Sequence, residues 1–234
     1  MVALPRRLAA EALGTAFLLA AIIGSGIMAQ RLAGGNPALA LLCNTLPTGA
    51  MLTVLILIFG PISGAHLNPA VTLVAALQRA LPWGDAALYV AAQLCGALVG
   101  TWAAHAMFEL PLWQVSMTAR SGWGQWLAEF IATFGLVLTI LGCSLVARSA
   151  VAYAVGLYIT AAYWFTASTS FANPAVTIAR SVSDTFAGIA PAGTAMFVLF
   201  QLAGALVAYA AAQWLWPETR AMSACGRSVD SRTA

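Results

Sequence analysis

Few side chains in this sequence are equipped for covalent or acid–base chemistry. There are two His (His66 and His105), four Cys (Cys43, Cys95, Cys143 and Cys225) and seven Asp or Glu, and all ten basic residues are Arg. Without Lys, neither a P-loop nor a Schiff-base site can exist. The Cys show no metal-ligand spacing and three lie in apolar stretches, so they read as small core residues rather than a disulfide framework. No nucleophile–base set can be assembled from two His and sparse acids, and no basic run suggests nucleic-acid binding. The residue types therefore predict no enzyme activity, no metal and no cofactor.

A different chemistry is written into two amide-bearing motifs. Asn68-Pro69-Ala70-Val71-Thr72 recurs without change as Asn173-Pro174-Ala175-Val176-Thr177. Asn is a favoured helix N-cap and Pro is favoured at the first helical position, so each motif reads as a helix start. Gly64-Ala65-His66-Leu67 and Ser170-Phe171-Ala172, which precede them, are expected to be extended backbone. A helix N-terminus carries about half a positive elementary charge. Two of them meeting would oppose cations and protons, while the Asn amides donate hydrogen bonds to a passing oxygen. Such a site favours an uncharged hydroxylated solute and performs no reaction on it.

The elements that must position these motifs follow from composition. Of 234 residues, 62% are hydrophobic and 7% charged, and mean hydropathy is +0.88. Soluble domains carry about 25% charged residues, so a soluble enzyme and a disordered chain are both excluded. Six long apolar runs, roughly Leu8–Ala29, Ala38–Phe59, Ala86–Phe108, Trp123–Ala147, Ala150–Ser170 and Ala192–Trp216, predict six membrane-spanning helices. The alternating strands of a membrane barrel are absent from the sequence. The first run is too long for a signal peptide and is interrupted by Glu11. His66–Leu77 and Phe171–Val182 are about half a bilayer long, which predicts two re-entrant half-helices, one entering from each side. Non-helical backbone at that depth is tolerated beside a water-filled cavity.

The chain is also duplicated. Gln93-Leu94-Cys95-Gly96-Ala97-Leu98-Val99-Gly100 recurs as Gln201-Leu202-Ala203-Gly204-Ala205-Leu206-Val207-Ala208, and Glu11 in the first span answers Glu129 in the fourth. With three spans per copy, the copies lie in opposite orientation, and such inverted repeats place a pathway at the bilayer midplane. The expected organisation is a first repeat over 1–112 with a half-helix at 68–77, a second over 113–216 with a half-helix at 173–182, and a polar cytoplasmic tail over 217–234. Arg6, Arg7, Arg79, Arg148, Arg220, Arg227 and Arg232 fall on one side of this arrangement and Arg31, Arg120 and Arg180 on the other, which puts both termini in the cytoplasm.

Glu11 and Glu129 read as scaffold carboxylates that accept hydrogen bonds from the N–H groups of the irregular segments, with a proton relay as the alternative. His66 reads as a packed, hydrogen-bonded side chain ahead of a pH gate, and little distinguishes His105. Pro47 removes a helical hydrogen bond to the Cys43 carbonyl and should kink the second span beside Thr48. Gly96, Gly100 and Gly204 permit close helix packing.

These residues resemble the major intrinsic protein family, the aquaporins and aquaglyceroporins. The resemblance rests on Ser63-Gly64-Ala65-His66-Leu67-Asn68-Pro69-Ala70-Val71-Thr72, the second Asn-Pro-Ala and both membrane Glu, and extends over about residues 6–216. It implies an all-α membrane fold of six transmembrane helices plus two re-entrant half-helices in inverted repeats, with four protomers in a homotetramer and one pore each. It also implies an outer constriction at Thr48, Ala161, Ser170 and Val176. Water-selective members have an aromatic, a His and an Arg there, and glycerol-conducting members keep aromatics and the Arg. Here none of the four is aromatic, and Val176 stands where the Arg is expected. The resemblance therefore predicts a wide throat whose cation exclusion rests on the helix dipoles. Arg180, one helical turn beyond Val176, either restores positive charge at the outer mouth or pairs with Asp184 at the interface.

The stretch Tyr163–Thr177 further resembles bacterial channels associated with arsenic resistance, which implies a bacterial inner membrane. Arsenous acid near neutral pH is an uncharged triol like glycerol. The expected function is a passive channel for small uncharged solutes: glycerol, urea, water and trivalent metalloid hydroxides such as arsenite. Its expected partners are those solutes and the lipid bilayer. A water-selective channel of the same fold and an ion-coupled secondary transporter are the alternatives.

Overall fold

Asn36 caps a helix through Oδ1, which accepts from the N–H of Ala38 at 3.0 Å and of Leu39 at 3.2 Å, with Pro37 in the first helical turn. The same Asn-Pro grammar starts both short helices, so sequence punctuation sets most of the element boundaries. The computed structural model describes residues 2–217 and contains, among them, α1 (Leu4–Leu32), α2 (Pro37–Ser63), α3 (Pro69–Leu77), α4 (Trp83–Met107), α5 (Trp123–Val146), α6 (Val151–Phe165), α7 (Pro174–Arg180) and α8 (Pro191–Leu215). This is an all-α architecture of six longer helices and two half-helices. Residues 218–234, with Cys225 and the arginines Arg220, Arg227 and Arg232 of the expected tail, lie outside the described residues.

Five helices, α1, α2, α4, α5 and α8, are 24 to 29 residues long and apolar enough to cross a membrane. The sixth departs from expectation. The run Ala150–Ser170 was expected to span as one helix, but α6 has 15 residues and stops at Phe165. The Thr166 hydroxyl donates to the Ala162 carbonyl at 2.6 Å, and Thr169 and Ser170 adopt positive φ, 62° and 50°. The chain leaves the helix there to present its N–H groups elsewhere. α2 runs through Pro47 and Pro61 without interruption and ends on Gly64, whose φ of 90° is one that a side chain would resist.

α1 packs along α4 and α2, α5 along α8 and α6, and α2 against α6. Gly96 and Gly100 of α4 lie against the backbone of Ala12 and Ala16 in α1, and Gly204 of α8 lies against the backbone of Phe130 in α5; a Cβ at any of them would overlap a carbonyl oxygen. Apolar side chains cover the flanks as well as the core, and a set of polar ones is buried at the centre. Phe17, Val99, Leu157, Leu199, Val207 and Trp214 are exposed on the flanks, while Glu11, Gln93, Thr72, Glu129, Gln201 and Thr177 are 0% exposed. An apolar coat over a polar centre is the arrangement a bilayer rewards and water penalises.

Candidate functional site

The site begins with the two irregular segments. Ala65 and Leu67 before α3, and Thr169, Ser170 and Ala172 before α7, have φ between 47° and 62°. The segments are thus not uniformly extended, as expected, but alternate with left-handed residues, which turns successive N–H groups to one side. Those groups find the two buried carboxylates. Glu11 accepts from the N–H of His66 at 2.9 Å and of Leu67 at 2.7 Å, from Gln93 Nε2 at 2.8 Å and from Ser63 Oγ at 2.6 Å. Glu129 accepts from the N–H of Phe171 and of Ala172, both at 2.9 Å, and from Gln201 Nε2 at 2.6 Å. Each Gln also donates to the Thr of its half-helix, Gln93 to Thr72 at 2.9 Å and Gln201 to Thr177 at 2.8 Å. Each buried carboxylate thus has three or four hydrogen-bond donors around it.

The half-helices then meet head to head. Asn68 Oδ1 accepts from Ala70 N–H at 2.9 Å, and Asn173 Oδ1 from Ala175 N–H at 2.9 Å and Val176 N–H at 3.3 Å. Asn68 Nδ2 donates across to the Ala172 carbonyl at 2.7 Å, and Asn173 Nδ2 to the Leu67 carbonyl at 2.8 Å. Each amide nitrogen carries two protons, so this cross-brace leaves one N–H on each Asn for a solute. Pro69 and Pro174 fill the first helical positions, and Ala70 and Ala175 are fully buried beneath them.

One cavity of about 870 Å³ is lined by both Asn. At one end it is walled by Thr48, Tyr163, Ser170, Phe171, Val176 and Arg180, and at the other by Gln78, Arg79, Ser144 and Arg148. Among the described residues, no Asp or Glu lines it. Two helix N-termini at its centre and arginines among its lining residues bias it against cations. Leu18, Ile22, Leu52, Ile56, Val155 and Ile159 form an apolar wall facing these groups.

The expected constriction is placed only in part. Thr48, Ser170 and Val176 line the cavity, but Ala161 is exposed on the outside of α6. The lining face of α6 runs through Val151, Val155, Ile159 and Tyr163, at the four-residue spacing of one helical stripe, and Ala161 lies across from it. Tyr163 takes the place assigned to Ala161, and its hydroxyl donates to Thr48 Oγ1 at 3.4 Å. With Phe171 also in the wall, the outer throat holds two aromatic rings where none was expected.

Arg180 is 1% exposed and faces the cavity. Its Nε donates to the Ala187 carbonyl, its guanidinium carbon lies 3.3 Å from the centre of the Phe171 ring, and its Nη1 is without a hydrogen-bond partner. It does not pair with Asp184, whose carboxylate accepts from Met117 N–H at 2.9 Å; among the described residues the single ion pair is Arg7–Asp85 at 3.1 Å. His66 is bonded through Nδ1 to Thr72 Oγ1 at 3.1 Å and tilted against Tyr89, with ring centres 5.3 Å apart. His105, unremarkable in the sequence, ties two connections together through Ser183 Oγ at 2.9 Å and the Leu112 carbonyl at 3.1 Å.

Sequence reasoning missed Tyr163, Phe171, Arg120 and the bonding role of the two Gln. The Gln were visible as matched positions of the repeat. Phe171 holds the same place relative to Asn173 as His66 does to Asn68, a register that could have flagged it.

The sequence model of the major intrinsic protein family matches residues 1–149 and 115–233. The aquaglyceroporin AqpS of Rhizobium meliloti (strain 1021) is 56% identical over 217 residues, covering 93% of each chain. The probable aquaporin NIP4-2 of Arabidopsis thaliana is 36% identical over 152 residues, 64% of this chain and 52% of its own length. Among solved structures, the aquaglyceroporin from Plasmodium falciparum superimposes with a TM-score of 0.68 at 22% identity, over 93% of this chain and 99% of that one. At that identity the likeness is one of fold.

Proposed function

The chain belongs to the major intrinsic protein family, and from that premise we propose that it conducts small uncharged solutes passively: glycerol, urea, water and trivalent metalloid hydroxides such as arsenite. It is a multi-pass membrane channel of the aquaporin and aquaglyceroporin type and no enzyme. The observation that carries the solute reading is the head-to-head meeting of two helix N-termini beside one cavity that no carboxylate of the described residues lines. A neutral oxygen can accept the free amide proton of Asn68 or Asn173, whereas a cation is opposed by the two helix N-termini and the lining arginines. The name of the relative that is 56% identical, an aquaglyceroporin, supports a polyol. Metalloid hydroxides rest on their resemblance to glycerol as uncharged triols.

In this reading Thr48, Ser170 and Val176, joined by Tyr163, form the outer constriction, and Arg180 supplies the charge that Val176 lacks. The same reading takes 1–112 and 113–216 as inverted repeats, both termini as cytoplasmic, a bacterial inner membrane as the location and a homotetramer as the assembly. Stopped-flow light scattering on proteoliposomes tests it. Glycerol, urea and arsenite uptake should all exceed that of protein-free vesicles, and Val176→Arg should slow glycerol and arsenite more than water. Unchanged selectivity in that variant would move the filter elsewhere.

A further inference from the structure

The throat beside α7 contains a buried cation, Arg180. Arg180 has four rotatable bonds, ends α7, and has no carboxylate within ion-pair distance among the described residues. Its guanidinium group meets the Ala187 carbonyl, the Tyr163 hydroxyl and the face of the Phe171 ring, which is the broadest of these contacts. A guanidinium stacks on an aromatic face through both the ring quadrupole and flat contact, and the attraction grows when the pair is removed from water. Phe171 is itself held rigidly. Its N–H donates to Glu129 at 2.9 Å, and its ring meets Phe197 edge-on with centres 5.2 Å apart.

A second guanidinium braces the same ring. Arg120, in the connection between α4 and α5, lies 5.2 Å from the Phe171 ring centre. Its Nε donates to the Gly188 carbonyl at 2.9 Å and its Nη1 to the Ser168 carbonyl at 3.2 Å. It thus ties the segment before α7 to the segment after it, and holds the carbonyl next to the one that Arg180 uses. Two neighbouring polar groups in the wall are buried without protein partners, Arg180 Nη1 and Ser170 Oγ. A buried unpartnered guanidinium N–H is costly unless something in the lumen accepts from it.

We propose that Phe171, braced by Arg120, is the positioning residue that holds the Arg180 guanidinium at the lumen wall, so that cation exclusion in this pore is set by a ring-and-guanidinium stack. The proposal rests on the reading of Arg180 as the charge of the outer throat. It goes further in assigning selectivity to Phe171 and Arg120, which lie outside the four expected constriction positions. The first repeat has no counterpart: at the matching place the His66 ring is bonded to Thr72, and Arg7 lies over Tyr89 instead, 5.1 Å from its ring centre.

The test is sodium leak under an imposed potential, measured on full-length protein in liposomes and normalised to glycerol permeability in the same vesicles. Arg180→Ala comes first. A leak no higher than the parent's would overturn the reading of Arg180 itself, and the proposal with it. Given a raised leak, Phe171→Leu should reach the same level, on the order of tenfold above the parent. The double variant should leak no more than the worse single one, and Phe171→Tyr should stay at the parental level because the ring face is kept. A tight Phe171→Leu beside a leaky Arg180→Ala would overturn the proposal while leaving the role of Arg180 intact. So would a double variant leakier than either single one, or a Phe171→Tyr as leaky as Phe171→Leu. Should Phe171→Leu not reconstitute, Phe171→Met, which roughly keeps the volume and loses the ring, is read by the same outcomes.

Discussion

The two half-helices have kept one framework and diverged in what they show the lumen. Before α3 and before α7 a left-handed segment hands two successive N–H groups to a buried Glu, and a Gln links that Glu to the half-helix Thr. The glycine contacts of α1 with α4 recur in those of α5 with α8. The ring at the matching position differs. His66 is hydrogen-bonded and rests against Tyr89, while Phe171 rests against Phe197 and carries two guanidiniums. Backbone groups at membrane depth have no water to fall back on, so the carboxylate cage tolerates little change. Side chains that face the cavity have no such obligation, and there the two halves differ.

The largest effects should come from breaking what the two halves share. Glu11→Ala and Glu129→Ala each strand buried N–H donors, and each should cost about 3–5 kcal/mol and lower the melting temperature in detergent to a similar degree. A mild loss in one of them would show that the cages are not equivalent. Next in size, Asn68→Asp and Asn173→Asp keep the helix cap but replace the free amide N–H with negative charge. Both should lower glycerol permeability and raise cation leak, which conductance in planar bilayers would detect; an effect confined to one Asn would make the midplane asymmetric. The smallest effect should come from exchanging the rings. His66→Phe should change glycerol permeability less than twofold, because its ring holds no cation, whereas Phe171→His should raise sodium leak measurably. Equal responses would erase the distinction between the two mouths.

The framework was legible in the sequence because it depends on residue types with few substitutes. Asn-Pro at a helix start, acids inside apolar runs and repeated small residues all report backbone geometry directly. The early end of α6 was less legible. The run through Ser170 is apolar enough to suggest a span, and the competing signal, Thr166-Ala167-Ser168-Thr169-Ser170, is a cluster of small residues whose hydroxyls and left-handed φ angles show only in three dimensions. Within α6 it is Tyr163, and not Ala161, that faces the cavity. Counting from the motif located the backbone position but could not give the rotation of the helix. The Arg120–Phe171–Arg180 stack joins residues from two connections and the last residue of α7, a relation that no spacing rule encodes.

The central claim is that two helix N-termini joined through Asn68 and Asn173 make a path for neutral solutes and a barrier to ions. Its most direct test is glycerol uptake into proteoliposomes with simultaneous recording of current. The account predicts a glycerol rate that rises linearly with concentration, needs no sodium or proton gradient and carries no current. A rate that saturates and collapses when the ion gradient is removed would contradict it, and would assign the chain to coupled transport.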